Sequence, residues 1–141
     1  PHSVVSYSQI GRKLPLHATA AGKVLLAHLP PAEQEEIFRR GLAAYTPHTI
    51  TDPAALREHL IRVAELGYAV DNEELEPGLR CVAAPIRNAR GHVVASLSLS
   101  GLTATLTPER LPALVSAAQE AALAISRRLG YSQALRLLRQ G

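Results

Sequence analysis

A hairpin near the middle of the chain decides its class. Leu79 to Ile86 (LRCVAAPI) and His92 to Ser100 (HVVASLSLS) have strand character, and Asn88-Ala89-Arg90-Gly91 between them supplies the turn. Tyr68-Ala69-Val70-Asp71 reads as a further strand just before them. On both sides of this block the apolar period changes from two to that of a helix.

Upstream, Leu14 to Leu29 (LPLHATAAGKVLLAHL) starts extended and runs into an Ala/Leu-rich helix that Pro30-Pro31 stops. Pro31 suits the first turn of the next helix, AEQEEIFRR. There Glu33, Glu35 and Glu36 lead, Arg39-Arg40 trail, and Gly41 ends the helix, as its dipole favours. A third helix follows in TITDPAALREHLIRVAELG, with Asp52 as N-cap, Pro53 as first residue and Gly67 as stop. Its apolar stripe is Leu56, Leu60, Val63 and Leu66 or Gly67. Downstream, Thr107-Pro108-Glu109 is expected to cap a long helix closed by Gly130. The stripe of that helix is Leu111, Leu114, Val115, Ala118, Ala122, Ile125 and Leu129. Helices, then strands, then a helix predict an α+β domain: an antiparallel sheet with helices packed against it.

Composition narrows the function classes. At 141 residues the chain fits one domain, residues 1–141. With 47% apolar and 19% charged residues it has the material for a core and argues against disorder. No apolar run reaches the roughly 18 residues of a membrane span, and PHSVVSYSQIGRK has no signal-peptide apolar region. The lone cysteine, Cys81, excludes an internal disulfide framework and fits a reducing cytoplasm. The first residue is Pro1 rather than Met, so the sequence is expected to be cut from something longer. A net charge of +3 raises nucleic acid as a partner. Yet the basic residues are scattered, and one Phe, four Tyr and no Trp leave little on which bases could stack.

Few residues carry a chemical signal. In HVVASLSLS, Val93, Ala95, Leu97 and Leu99 point one way and Ser96, Ser98 and Ser100 the other. Three small hydroxyls with no charge can mean close packing or plain exposure. They can also mean a pocket wall that donates to an anion or carbonyl. Cys81 and Ala83 share a face opposite Arg80 and Val82; a lone cysteine is most often a small buried hydrophobe. As a nucleophile it would need a base, for which His17 is the best-placed residue, though nothing local links the two. Asp71-Asn72-Glu73-Glu74 reads as a solvated turn whose side chains cap the following amides. The six histidines form no metal-ligand spacing. Gly22-Lys23 is no phosphate loop either, because His17 and Val24 stand where that motif needs Gly and Ser or Thr.

Taken in order, LPLHATAAGKVLLAHLP, TITDPAALREHL, GYAVDNEE, GLRCVAAPIRNARGHVVASLSLSG and the closing ISRRLGY resemble the effector-binding domain of the IclR (isocitrate lyase regulator) family of bacterial transcription regulators. The resemblance covers about Gly11 to Tyr131. It implies a fold related to GAF and PAS sensors, a curved antiparallel sheet flanked by helices. It implies a small-molecule effector, typically a carboxylic or aromatic metabolite, and no cofactor, metal or catalysis. It also implies a homodimer or homotetramer that meets DNA only through a winged helix-turn-helix domain preceding this one. Mapped onto this sequence, the family's effector site falls on Ala20, Ala21, Asp71, Leu79, Cys81, Ser98 and Ser100. Val4-Val5 and Ala134, Leu135, Leu137 and Leu138 are apolar residues expected to serve self-association. Two other readings stand beside this one: a GAF-like enzyme using Cys81, and a pure dimerisation module.

Overall fold

The structure is a computed structural model, and residues 13–133 are described. The residues expected to mediate self-association, Val4-Val5 and Ala134 to Leu138, lie outside that range. Helix α1 (Ala20–Ala27) starts where Thr19, in an extended conformation, turns its hydroxyl back on the first turn. That hydroxyl accepts from the Gly22 amide at 3.0 Å and donates to the Pro15 carbonyl at 2.9 Å. Helix α2 (Pro31–Arg39) begins on Pro31, as the two prolines predict. Helix α3 (Pro53–Leu66) is bounded by the predicted residues, with Asp52 accepting from the Ala55 amide at 3.1 Å and Gly67 left-handed at φ 77°. Replacing Asp52 with alanine should therefore cost about 1 kcal/mol, read as a lower denaturant midpoint at unchanged slope.

Strands β1 (Ala69–Asn72), β2 (Leu79–Arg87) and β3 (Val93–Leu102) form one antiparallel sheet in the order β1-β2-β3. The hairpin pairs Cys81 with Ser100, Val82 with Leu99 and Ala83 with Ser98. A one-residue slip after Ile86 then sets Arg87 opposite Val93 and leaves Val94 unpaired. Val93 therefore does not continue the row Ala95, Leu97, Leu99 as the plain alternation predicts. A single turn, Pro108–Arg110, precedes the last helix, α4 (Leu111–Arg128). Thr107 makes no side-chain cap there, contrary to expectation, because the chain enters through this tighter 3₁₀ turn.

The strand alternation sorts the core into two layers. On one face Val82, Ala84 and Ile86 pack with Ala95, Leu97 and Leu99 against Ala118 and Ala122 of α4. On the other, Ala69 and Ala83 meet Ala20 and Val24 of α1 and Val63 of α3. Leu26, Phe38, Leu56 and Leu60 close the outer layer between α1, α2 and α3. The α4 stripe is shorter than predicted, and of the two ends expected for the α3 stripe Gly67 is half-buried and Leu66 is not. Leu66 is 57% exposed, and on α4 Ile125 and Leu129 are solvent-exposed while Ser126 is buried. The buried Ser126 hydroxyl donates to the Ala122 carbonyl and accepts from the Arg87 amide. At this end the helix thus docks by hydrogen bonds to β2 rather than by apolar contact.

Candidate functional site

The expected site residues divide between the two roles a sheet face offers. Asp71, Leu79, Cys81, Ser98 and Ser100 all fall on the face opposite α4, on three adjacent strands. Helix α1 covers only part of that face. Ala20 is 1% exposed and packs within the core, so it contributes no open wall, contrary to the expected room beside it. Ala21 is half-buried, and its carbonyl accepts from the Ser96 hydroxyl at 3.2 Å. Ser96 thus fastens the first turn of α1 to β3. Beyond that point the helix gives no cover, and Ser98 and Ser100 are exposed. The first turn of α1, its Gly22 amide already held by Thr19, lies at the edge of this uncovered strip. Leu79, half-buried and paired with Leu102, ends the strip.

Cys81 donates its S–H to the Ser100 hydroxyl at 3.1 Å. Burial pushes its thiol above the ordinary range, only partly offset by that hydrogen bond. A thiol held protonated is a poor nucleophile. His17, the residue best placed to act as its base, is committed elsewhere: its Nε2 sits 2.8 Å from the Ala43 carbonyl and its ring lies against Tyr45. Among the described residues no group of three or more His, Cys, Asp or Glu could hold a metal ion.

The acidic turn contradicts its solvated reading. Asp71 is 1% exposed and Glu74 5%, and beneath them lies Lys23, fully buried. The Lys23 ammonium donates to both Glu74 oxygens at 2.8 and 3.0 Å, to the Val70 carbonyl at 2.5 Å, and lies 3.1 Å from Nε2 of His59. Glu74 also accepts from the Asn72 amide, and Asp71 accepts from the Glu74 amide at 2.8 Å. This network joins α1, α3 and the β1–β2 turn directly under the candidate site; the sequence reading puts Glu74 in a solvated turn, finds no phosphate loop at Lys23 and does not single out His59. A lysine inside an Ala/Val/Leu helix stripe was the available signal, since lysine is almost never fully buried unless paired. Burial, with the nearby Lys23 charge, keeps the His59 imidazole below its ordinary value. Burial also lifts the Asp71 carboxyl to about 6. Two hollows of about 400 and 320 Å³ flank the end of α4, around Leu123 and Tyr131, and neither includes any expected site residue.

The fold and the site thus define an α+β domain with a long helix on one face of an antiparallel sheet and a partly covered polar strip on the other. Residues 1–127 match the family described as bacterial transcriptional regulator IclR, C-terminal. The chain belongs to the IclR family. It is 45% identical over 130 residues to the HTH-type transcriptional regulator XynR of Escherichia coli (strain K12), covering 92% of this chain and 52% of that protein. The crystal structure of Thermotoga maritima IclR superposes with a TM-score of 0.84 at 40% identity, covering 92% of this chain and 53% of that one. A double mutant of the PobR inducer-binding domain from Acinetobacter, in complex with 3-hydroxybenzoic acid, gives 0.80 at 33% identity over 92% of this chain and 74% of that one. The chain spans about half the length of the curated relatives it matches.

Proposed function

We propose that this chain is the effector-sensing domain of a transcriptional regulator. Its ligand, a small carboxylate or aromatic acid, lies on the strip bounded by Ser98, Ser100, Cys81, Leu79 and Ala21, with Ala20 and Asp71 buried behind it. The observation that carries this reading is the uncovered pair of hydroxyls, Ser98 and Ser100, on an uncharged strand beside a helix start. The inducer complex of the PobR domain supports the ligand class. Ligand occupancy would bias an oligomer, dimer or tetramer, that meets DNA through a separate domain, provided it binds the two arrangements with different affinity. The setting is cytoplasmic; no helix among the described residues is long and apolar enough to cross a membrane. The reading excludes catalysis at Cys81, consistent with a thiol held protonated and with His17, its expected base, committed to the Ala43 carbonyl.

Calorimetry on three variants tests the placement. Ser98→Ala should weaken binding roughly ten- to hundredfold with the fold intact, because a lost hydrogen bond to a charged group costs about 1.5–3 kcal/mol. Cys81→Phe should block the strip by volume. Arg57→Ala should do neither, since Arg57 spends its exposed guanidinium on Glu35 at the α2–α3 surface. Parent-like binding by the first two variants would move the ligand elsewhere. A chain that self-associates but binds no small molecule in a thermal-shift screen would be a dimerisation module.

A further inference from the structure

Asp71 lies buried just under the strip, 1% exposed, with no cation of its own. Its strand neighbour is Cys81, which carries no charge as a thiol, and the adjoining turn presents Glu74. From α1 comes Lys23, whose three N–H groups are already taken by Glu74, the Val70 carbonyl and His59. From α3 comes His59, which must accept from the Lys23 ammonium and is therefore neutral. The Lys23 and Glu74 charges cancel, so an ionised Asp71 leaves this buried cluster with one net negative charge. Among the described residues no ion pair offsets it.

A carboxylate effector on the same face would sit beside that charge. Two carboxylates that share a site cannot both stay ionised cheaply, and one takes a proton. Resting on the site reading above, we infer that Asp71 makes effector binding proton-linked: an acid binds as its carboxylate only as Asp71, paired across the sheet with Cys81 and through it with Ser100, takes up one proton from solvent. When the effector leaves, that proton returns to solvent, and no other bond is made or broken. Protonation of Asp71 then removes the buried negative charge that would otherwise repel an anion on the strip. Its carboxyl is already lifted to about 6 by burial, so protonating it at pH 7 carries only about a tenfold penalty in affinity.

The test is calorimetric titration of the whole chain with acetate, lactate, benzoate and 3-hydroxybenzoate, in phosphate and in Tris. The difference in observed heat between the two buffers gives the protons taken up. At pH 7.5 the tightest-binding acid should bring close to one proton per site, and its Kd should rise about tenfold per unit between pH 7 and 8. Asp71→Asn should bind the same acid with no proton uptake and a flat pH profile, because the amide carries no charge to neutralise. Binding by the parent without proton uptake overturns the inference, and so does uptake that persists in Asp71→Asn. Should that variant not fold, the parent measurement alone still decides. Binding by none of the four acids would also overturn it, because the acids would then not be the ligand class. If Ser98→Ala and Cys81→Phe weaken binding while no proton is taken up, only this inference fails. If they leave binding untouched, the site reading itself fails.

Discussion

Replacing Lys23 with methionine is expected to remove about 3–5 kcal/mol of stability, seen as a melting temperature lower by roughly 10 °C or more. The methionine fills the space of the lysine stem, so the loss comes from what remains. Glu74 keeps a carboxylate 5% exposed without its cation, and His59 and the Val70 carbonyl lose their donor. For a domain whose total stability is on the order of 5–15 kcal/mol, such a loss is a large fraction. The double variant Lys23→Met/Glu74→Gln separates an ion pair from a packing effect. The glutamine oxygen can still accept from the Asn72 amide, and no uncompensated charge stays buried. Most of the lost stability should return. A double variant as unstable as the single one would show that Lys23 acts through its hydrocarbon stem.

Gly22→Ala should be as damaging for a different reason. A Cβ at Gly22 would lie 2.5 Å from the Leu16 carbonyl oxygen, 2.6 Å from the Leu16 Cα and 2.5 Å from the Thr19 hydroxyl. Alanine normally gains about 1 kcal/mol over glycine inside a helix. Here two of the obstructing atoms are backbone, so relief requires moving the entry to α1 or giving up the Thr19 cap. The expected loss is at least about 3 kcal/mol, together with loss of effector binding as the first turn of α1 shifts. Gly101→Ala is the informative contrast. Its Cβ would meet Leu106 closely, but through the end of a flexible side chain that can rotate away. A mild effect at Gly101 beside a severe one at Gly22, in parallel denaturant melts, would verify that backbone crowding decides the outcome.

Much of the fold was legible because it is written in local punctuation. Asp52-Pro53 and Gly67 bound α3, Pro31 opens α2, and Asn88 to Gly91 turns the hairpin, each through the chemistry of its own side chain or backbone. The division of β3 into serines and leucines was legible too, since alternation follows from strand geometry alone. Where α1 ends relative to β3 was not. The contrast between fastened Ser96 and exposed Ser98 depends on contacts 75 residues apart in sequence. The same distance problem hid Lys23 and Glu74, which are 51 residues apart and look, one by one, like surface charges. Ile125 and Leu129 failed as core because helical periodicity continues past Ser126, which meets Arg87 at the end of β2.

The single sheet carries two texts interleaved letter by letter, hydroxyls for one reader and leucines for the other. Such a script has a frame of two. Inserting or deleting one residue within Leu97 to Ser100 would exchange the lines, turning Leu97 and Leu99 out to the open strip and the serines in against α4. Length changes in this hairpin can therefore accumulate only in pairs or beyond the point where the frame is reset. That point is visible: the unpaired Val94, next to the turn, where the chain has already absorbed one extra letter without scrambling either message.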